Sequence, residues 1–271
     1  MRLGINAYRL SGQRTGVGRY IEYMIRHWDR MLSPSDRLTV YLREALGDYQ
    51  YDLSEKTRFE VLAPRLTAST WENLVLPLQG KNIDVLFCPS YTVPLVYSGK
   101  RVVAIHSLSE GQDGVESWWY RNTWGLRYRL GARSAKAVIV PSESTKEDVH
   151  RHYGILADRI VVAPQGTDEC FRPVEDDAAL GEVRRRYFGD DRPFILWVGT
   201  MSQRRNIPSL IRAFALLKKR ENIPHGLLLL GANPLPIPIE EMSSELGIGD
   251  SVKQLDVAFK RVCLTAWLPG H

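Results

Sequence analysis

The sequence predicts an α/β protein of two successive domains, each a mostly parallel sheet with helices on both faces. Short apolar runs alternate with amphipathic stretches along the chain. The runs are rich in Val, Leu and Ile and bounded by turn residues, as buried strands are. The stretch from Phe171 to Asp191 changes character, with Pro173, the run Glu175-Asp176-Asp177 and a charged helix, and beyond it the alternation starts again. Alternating strand and helix calls for a parallel sheet, because a crossover between parallel strands needs a helix's length of chain. The expected domains are residues 1–172 and 190–271.

In chain order, Arg2 to Asn6 reads as the first strand. Arg19 to Leu32 reads as a helix, with Ile21, Met24, Ile25 and Trp28 at helical spacing. Strands are expected at Leu38–Leu42, Asp84–Cys88, Val102–His106, Ala137–Val140 and Ile160–Ala163. Helices are expected at Glu116–Ala132 and Thr145–Tyr153, the second with Ser142 as its cap. After the crossing helix Leu180–Tyr187 come a strand at Phe194–Val198, a turn at Gly199, a helix at Ile207–Lys219 and a strand at Gly226–Leu230. A short helix Glu240–Leu246 and a strand Val252–Leu255 follow. Past Leu255 no clear periodicity remains, and the second domain is expected to be unfinished.

The chain has 271 residues, 44% hydrophobic and 25% charged, the composition of an ordinary globular protein. No apolar run approaches the roughly 20 residues of a membrane span. The opening Met-Arg-Leu-Gly-Ile-Asn is broken too early for a signal peptide. A cytoplasmic protein is expected. Cys88, Cys170 and Cys263 fit neither a disulfide framework nor a metal spacing. The net charge of +5 suits an anionic ligand or a peripheral visit to an anionic membrane, and is too mild and too spread for nucleic acid.

Four features carry candidate chemistry. Arg14-Thr-Gly-Val-Gly-Arg-Tyr20 follows the first strand and opens the first helix. Gly16 and Gly18 there allow a tight turn and close approach to a ligand, and a helix N-terminus favours phosphate, although the same spacing also suits a plain turn. His106 ends an apolar strand, where open α/β sheets place their ligands; a structural histidine bonded to a loop is the alternative. Gly199 ends a strand, and Arg204 and Arg205 stand in the loop beyond it. Two guanidinium groups beside a helix start suit a diphosphate, or are two surface arginines. Finally, Trp118, Trp119, Tyr120 and Trp124 share a helix with Arg121, Arg127, Arg129 and Arg133. That helix meets either a lipid-linked acceptor or membrane, or the core with its arginines facing water.

Read in order, these pieces resemble the retaining glycosyltransferases of family 4. Gly16-Val-Gly-Arg-Tyr20 matches the family's Gly-x-Gly-Arg-Tyr. Trp71-Glu72 with Pro77 resembles its W-E-x-x-x-L-P segment, and Asp84 to Pro94 its D-V-x-H-x-P-x-Y-x-x-P loop, with Phe87 at the histidine. Val103 to Ser107 resembles V-x-T-I-H-D, where the family's active-site histidine sits, with Ser107 at the aspartate. Pro141 to Thr145, Val162-Ala-Pro-Gln-Gly-Thr-Asp168 and Val198 to Phe214 match later motifs, with Arg205 at a lysine position.

The resemblance implies a GT-B fold, two Rossmann-like domains facing across a cleft, here with the second incomplete. It implies sugar transfer from a nucleotide sugar to the hydroxyl of a carbohydrate or lipid-linked acceptor, with retention. No metal and no other cofactor are expected, nor a nucleic-acid partner. The resemblance places His106 near the donor sugar and Gly16, Gly18, Gly199, Arg204 and Arg205 around the diphosphate. The family's two glutamates separated by seven residues have no match here, since no two glutamates stand eight positions apart. Impaired activity through truncation is therefore expected, with a non-catalytic relic or interaction module on the same fold as the alternative.

Overall fold

The computed structural model describes residues 1–11, 16–46, 51–108, 118–167 and 171–255. The chain divides into two compact units, Met1–Gln165 and a second from Gly166 onward.

In the first unit seven strands form one sheet in the order β3-β2-β1-β4-β5-β6-β7. They are β1 (Arg2–Asn6), β2 (Arg37–Leu42), β3 (Thr57–Val61), β4 (Val85–Cys88), β5 (Lys100–Ala104), β6 (Ala137–Val140) and β7 (Ile160–Val162). Every neighbouring pair is parallel. One apolar cluster gathers around Trp71, Leu86, Val103, Val138 and Ile155, a second around Ile5, Ile21, Ile25, Leu38 and Val40.

Helix α1 (Gly16–Met31) buries Ile21 and Ile25 fully. Each isoleucine contributes about 1.5–3 kcal/mol by leaving water. Among the described residues the helix is already formed at Gly16, earlier than the apolar spacing predicts. A composite helix follows β3: α2 (Ala68–Thr70), a π-helical turn (Trp71–Val75) and α3 (Leu76–Gln79). Neither β3 nor this composite segment is among the elements expected from the sequence. Helix α4 (Trp118–Ser134) continues past Ala132 because side chains take its last carbonyls. Arg101 Nη2 donates to Ser134 at 3.4 Å and Arg159 Nη2 to Arg133 at 3.0 Å. Helix α5 (Glu143–Tyr153) is capped by Ser142, whose hydroxyl accepts from the Thr145 N–H, and stops at Gly154 in the left-handed region.

In the second unit β8 (Phe194–Val198), β9 (Gly226–Leu230) and β10 (Val252–Leu255) form a parallel sheet in the order β10-β9-β8. Helices α6 (Asp177–Phe188), α7 (Ile207–Glu221) and α8 (Ile239–Glu245) accompany it. The apolar centre holds Met201, Ile207, Ile211, Phe214, Leu227 and Leu229. At the carboxyl ends of β8 and β9 the backbones of Gly199 and Gly231 touch. A Cβ on Gly231, at φ 148, would stand 1.9 Å from the Gly199 carbonyl oxygen. Only glycine fits such a contact.

Candidate functional site

The strand order of the first unit reverses direction between β1 and β4. Loops leaving the carboxyl ends of those strands diverge and open a crevice, where ligands of α/β sheets bind. Asn6 ends β1, Pro89 follows β4, and His106 lies two residues past the end of β5 at Ala104. The strand stops short of the expected His106, which sits in the turn beyond it.

His106 is bonded at both ring nitrogens. Nε2 lies 2.9 Å from the Pro89 carbonyl oxygen, and Nδ1 lies 2.9 Å from the Gln165 amide nitrogen. Two tyrosine rings meet the imidazole at steep angles, Tyr20 at 4.8 Å and Tyr91 at 5.4 Å between centroids. Tyr20 belongs to the first turns of α1, so the glycine turn and His106 are neighbours. Burial pushes the Tyr20 hydroxyl up from its ordinary range. Gly18 is buried, whereas Gly16 faces open space, with no heavy atom within 4 Å of a Cβ built on it.

Beside them lies a buried polar knot. Glu72, 1% exposed, comes from the π-helical turn. Its Oε1 accepts from Asn6 Nδ2 at 2.8 Å and from Thr92 Oγ1 at 2.7 Å. Its Oε2 accepts from Arg127 Nη2 at 2.5 Å, and Arg127 also donates to the Ser69 hydroxyl. Burial pushes the Glu72 carboxyl up, against the pull of these donors and the Arg127 charge. Arg127 therefore does not face water, as the amphipathic reading of its helix expects; it ties α4 to the segment after β3. Nothing in the sequence sets Arg127 apart from Arg121, Arg129 or Arg133.

In the second unit Gly199 ends β8. The Arg205 guanidinium folds back over it, within 3.2 Å of a Cβ built there, and lies 5.8 Å from the Trp197 ring centroid. Arg204 belongs to the same 3-10 turn, Gln203–Arg205. A strand end, a glycine and a cation thus stand together. Asp168, Cys170, Cys263 and the start of the aromatic segment before Trp118 lie outside the described residues.

The Glycosyltransferase Family 4 model matches residues 14–169, more than half of the chain. The chain belongs to this family. Gly16, Gly18, Tyr20, Glu72, His106 and Gln165 all lie inside the match. Over 129 residues the chain is 26% identical to the alpha-D-kanosaminyltransferase of Streptomyces kanamyceticus, covering 48% of this chain and 33% of that protein. Over 98 residues it is 29% identical to O-antigen chain mannosyltransferase B of Escherichia coli, covering 36% of this chain and 26% of that protein. The chain thus spans about a third or less of the length of these relatives.

Among solved structures it is similar to WaaG, a glycosyltransferase involved in lipopolysaccharide biosynthesis. The TM-score is 0.64 at 15% identity, over 97% of this chain and 71% of that one. Anabaena HepE, solved in complex with UDP, gives a TM-score of 0.66 at 14% identity, over 98% and 70%. The fold of this family 4 chain is accordingly that of the GT-B glycosyltransferases. Among the described residues no helix is long and apolar enough to cross a membrane.

Proposed function

We propose that this chain is a retaining hexosyltransferase that moves a sugar from a nucleotide-sugar donor to an acceptor hydroxyl in the synthesis of a cell-surface polysaccharide or glycolipid. One observation carries the reading: within the residues that match the family, the ring of Tyr20, which follows the glycine turn, lies against His106 at the switch point of the first sheet. HepE has been solved with UDP-glucose, which supports a nucleotide sugar as donor. The named activities of the two relatives support a saccharide acceptor.

In this reading the bond from the anomeric carbon to the diphosphate oxygen breaks while the acceptor oxygen bonds to the same face. The acceptor proton passes to the departing phosphate. By the family resemblance, Arg204, Arg205 and the N–H groups near Gly16, Gly18 and Gly199 are the candidates to stabilise the charge that grows on the diphosphate, without a metal. His106 orients the donor sugar. The exposed Leu126 and Leu130 of α4, with the exposed Arg129 and Arg133, support peripheral contact with the inner face of a membrane or with a lipid-linked acceptor.

A second reading is a non-catalytic module on the same fold. Calorimetry of the full chain with UDP-glucose and other nucleotide sugars, alongside an assay of nucleotide release, separates the two. The transferase reading expects saturable binding, turnover that a chelator does not change, and loss of about tenfold or more in affinity in His106→Ala or Arg205→Ala. A folded chain that binds none of the donors supports the second reading and overturns the first.

A further inference from the structure

The two bonds to His106 define its chemical form. A backbone carbonyl only accepts, so the Nε2 facing Pro89 bears a hydrogen. The amide nitrogen of Gln165 only donates, so the Nδ1 facing it presents a lone pair. A hydrogen on one nitrogen and a lone pair on the other is a neutral imidazole of a single tautomer. The flanking rings of Tyr20 and Tyr91 oppose rotation of the imidazole out of this arrangement.

We propose that Gln165 is the positioning residue of His106: its amide donates to Nδ1 and fixes both the tautomer and the plane of the ring. The proposal rests on His106 lying at the donor site, and it goes further in stating the form in which the ring meets a donor. The Gln165 N–H holds the position that a hydroxyl donating to Nδ1 would occupy. A bound donor therefore uses the ring as the amide has set it. The length of the side chain matters here. The motif that Val162 to Asp168 resembles carries asparagine where this chain has Gln165. An amide drawn back by one carbon–carbon bond, about 1.5 Å, would leave a 2.9 Å contact beyond hydrogen-bond reach. Gln165 is exposed, so its replacement disturbs no core.

The test is nitrogen NMR of the full chain labelled with 15N-histidine, with the His106 signals assigned by their loss in His106→Gln. In the wild-type protein Nε2 is expected to carry the proton and Nδ1 none. In Gln165→Glu, which has almost the same shape but can only accept, both nitrogens should be protonated at the same pH. In Gln165→Leu the hydrogen-bond shift of Nδ1 should vanish. UDP-glucose affinity is expected to fall about fivefold or more in both variants. A proton on Nδ1 of the wild-type ring overturns the proposal, as does a nitrogen pattern that Gln165→Glu leaves unchanged. If the pattern follows Gln165 while His106→Ala binds UDP-glucose as tightly as the wild-type protein, the positioning stands and the donor-site reading of His106 alone fails.

Discussion

Deleting the Glu72 carboxylate would take from Arg127, whose side chain is 15% exposed, the buried carboxylate it pairs with, and from Asn6 and Thr92 their acceptor. Breaking a buried pair from one side is far more damaging than never having built it, because the surviving ion keeps its desolvation cost. Glu72→Ala is expected to lose about 3–5 kcal/mol of stability, read as a lowered urea midpoint with circular dichroism. An unchanged midpoint would mean that the knot at the end of β1 carries no net stabilisation. At this scale the sequence was partly legible. His106 could be found because it ends an apolar run, and the glycine pair because it opens a helix. Gln165 appeared only as one letter of a motif. Its significance lies in a bond to a residue 59 positions away, which no local pattern encodes.

Helix α1 and strand β3 are joined through one side chain. Asp29, 5% exposed, accepts from the Ser54 N–H at 3.0 Å, the Ser54 hydroxyl at 2.8 Å and the Thr57 hydroxyl at 2.6 Å. Burial alone would push the Asp29 carboxyl up, but these bonds together hold it below the ordinary aspartate range. A carboxyl lower in the folded than in the unfolded state adds stability above its unfolded value, about 3.9. That stability is lost as the pH falls through the folded value. Melting temperatures taken from about pH 6 downward should fall steeply below about pH 4 in the wild-type protein. Asp29→Asn should start lower and show a flatter acid slope; equal slopes would refute the linkage. The elements that the sequence hid have physical reasons. In β3 the charged Arg58 and Glu60 interrupt the apolar pattern, and they pair with each other at 2.8 Å on the sheet edge. In the composite helix the π-helical turn shifts the spacing, so that the adjacent Trp71 and Glu72 are both buried.

Across the whole molecule, the first unit packs its sheet with two apolar clusters and the second with one. In the second unit every residue of β9 is buried, while Ile195, Leu196 and Val198 of β8 remain 37–39% exposed. Hydrogen exchange should therefore protect β9 more than β8. Faster exchange in β9 than in β8 would contradict this ranking. The alternation of strands and helices was legible along almost the whole chain, since buried parallel strands need continuous apolar runs. The order of the strands was not, because the jump from β1 to β4 leaves no mark on composition. That jump has a consequence during synthesis. Strand β1 is an interior strand of the sheet, and its partner at Asp84 is 82 residues away. At ribosomal speeds of about 5–20 residues per second, one edge of β1 waits roughly 4–16 s for its neighbour. Until then an apolar strand with open N–H and C=O groups stands ready to pair with whatever chain comes near.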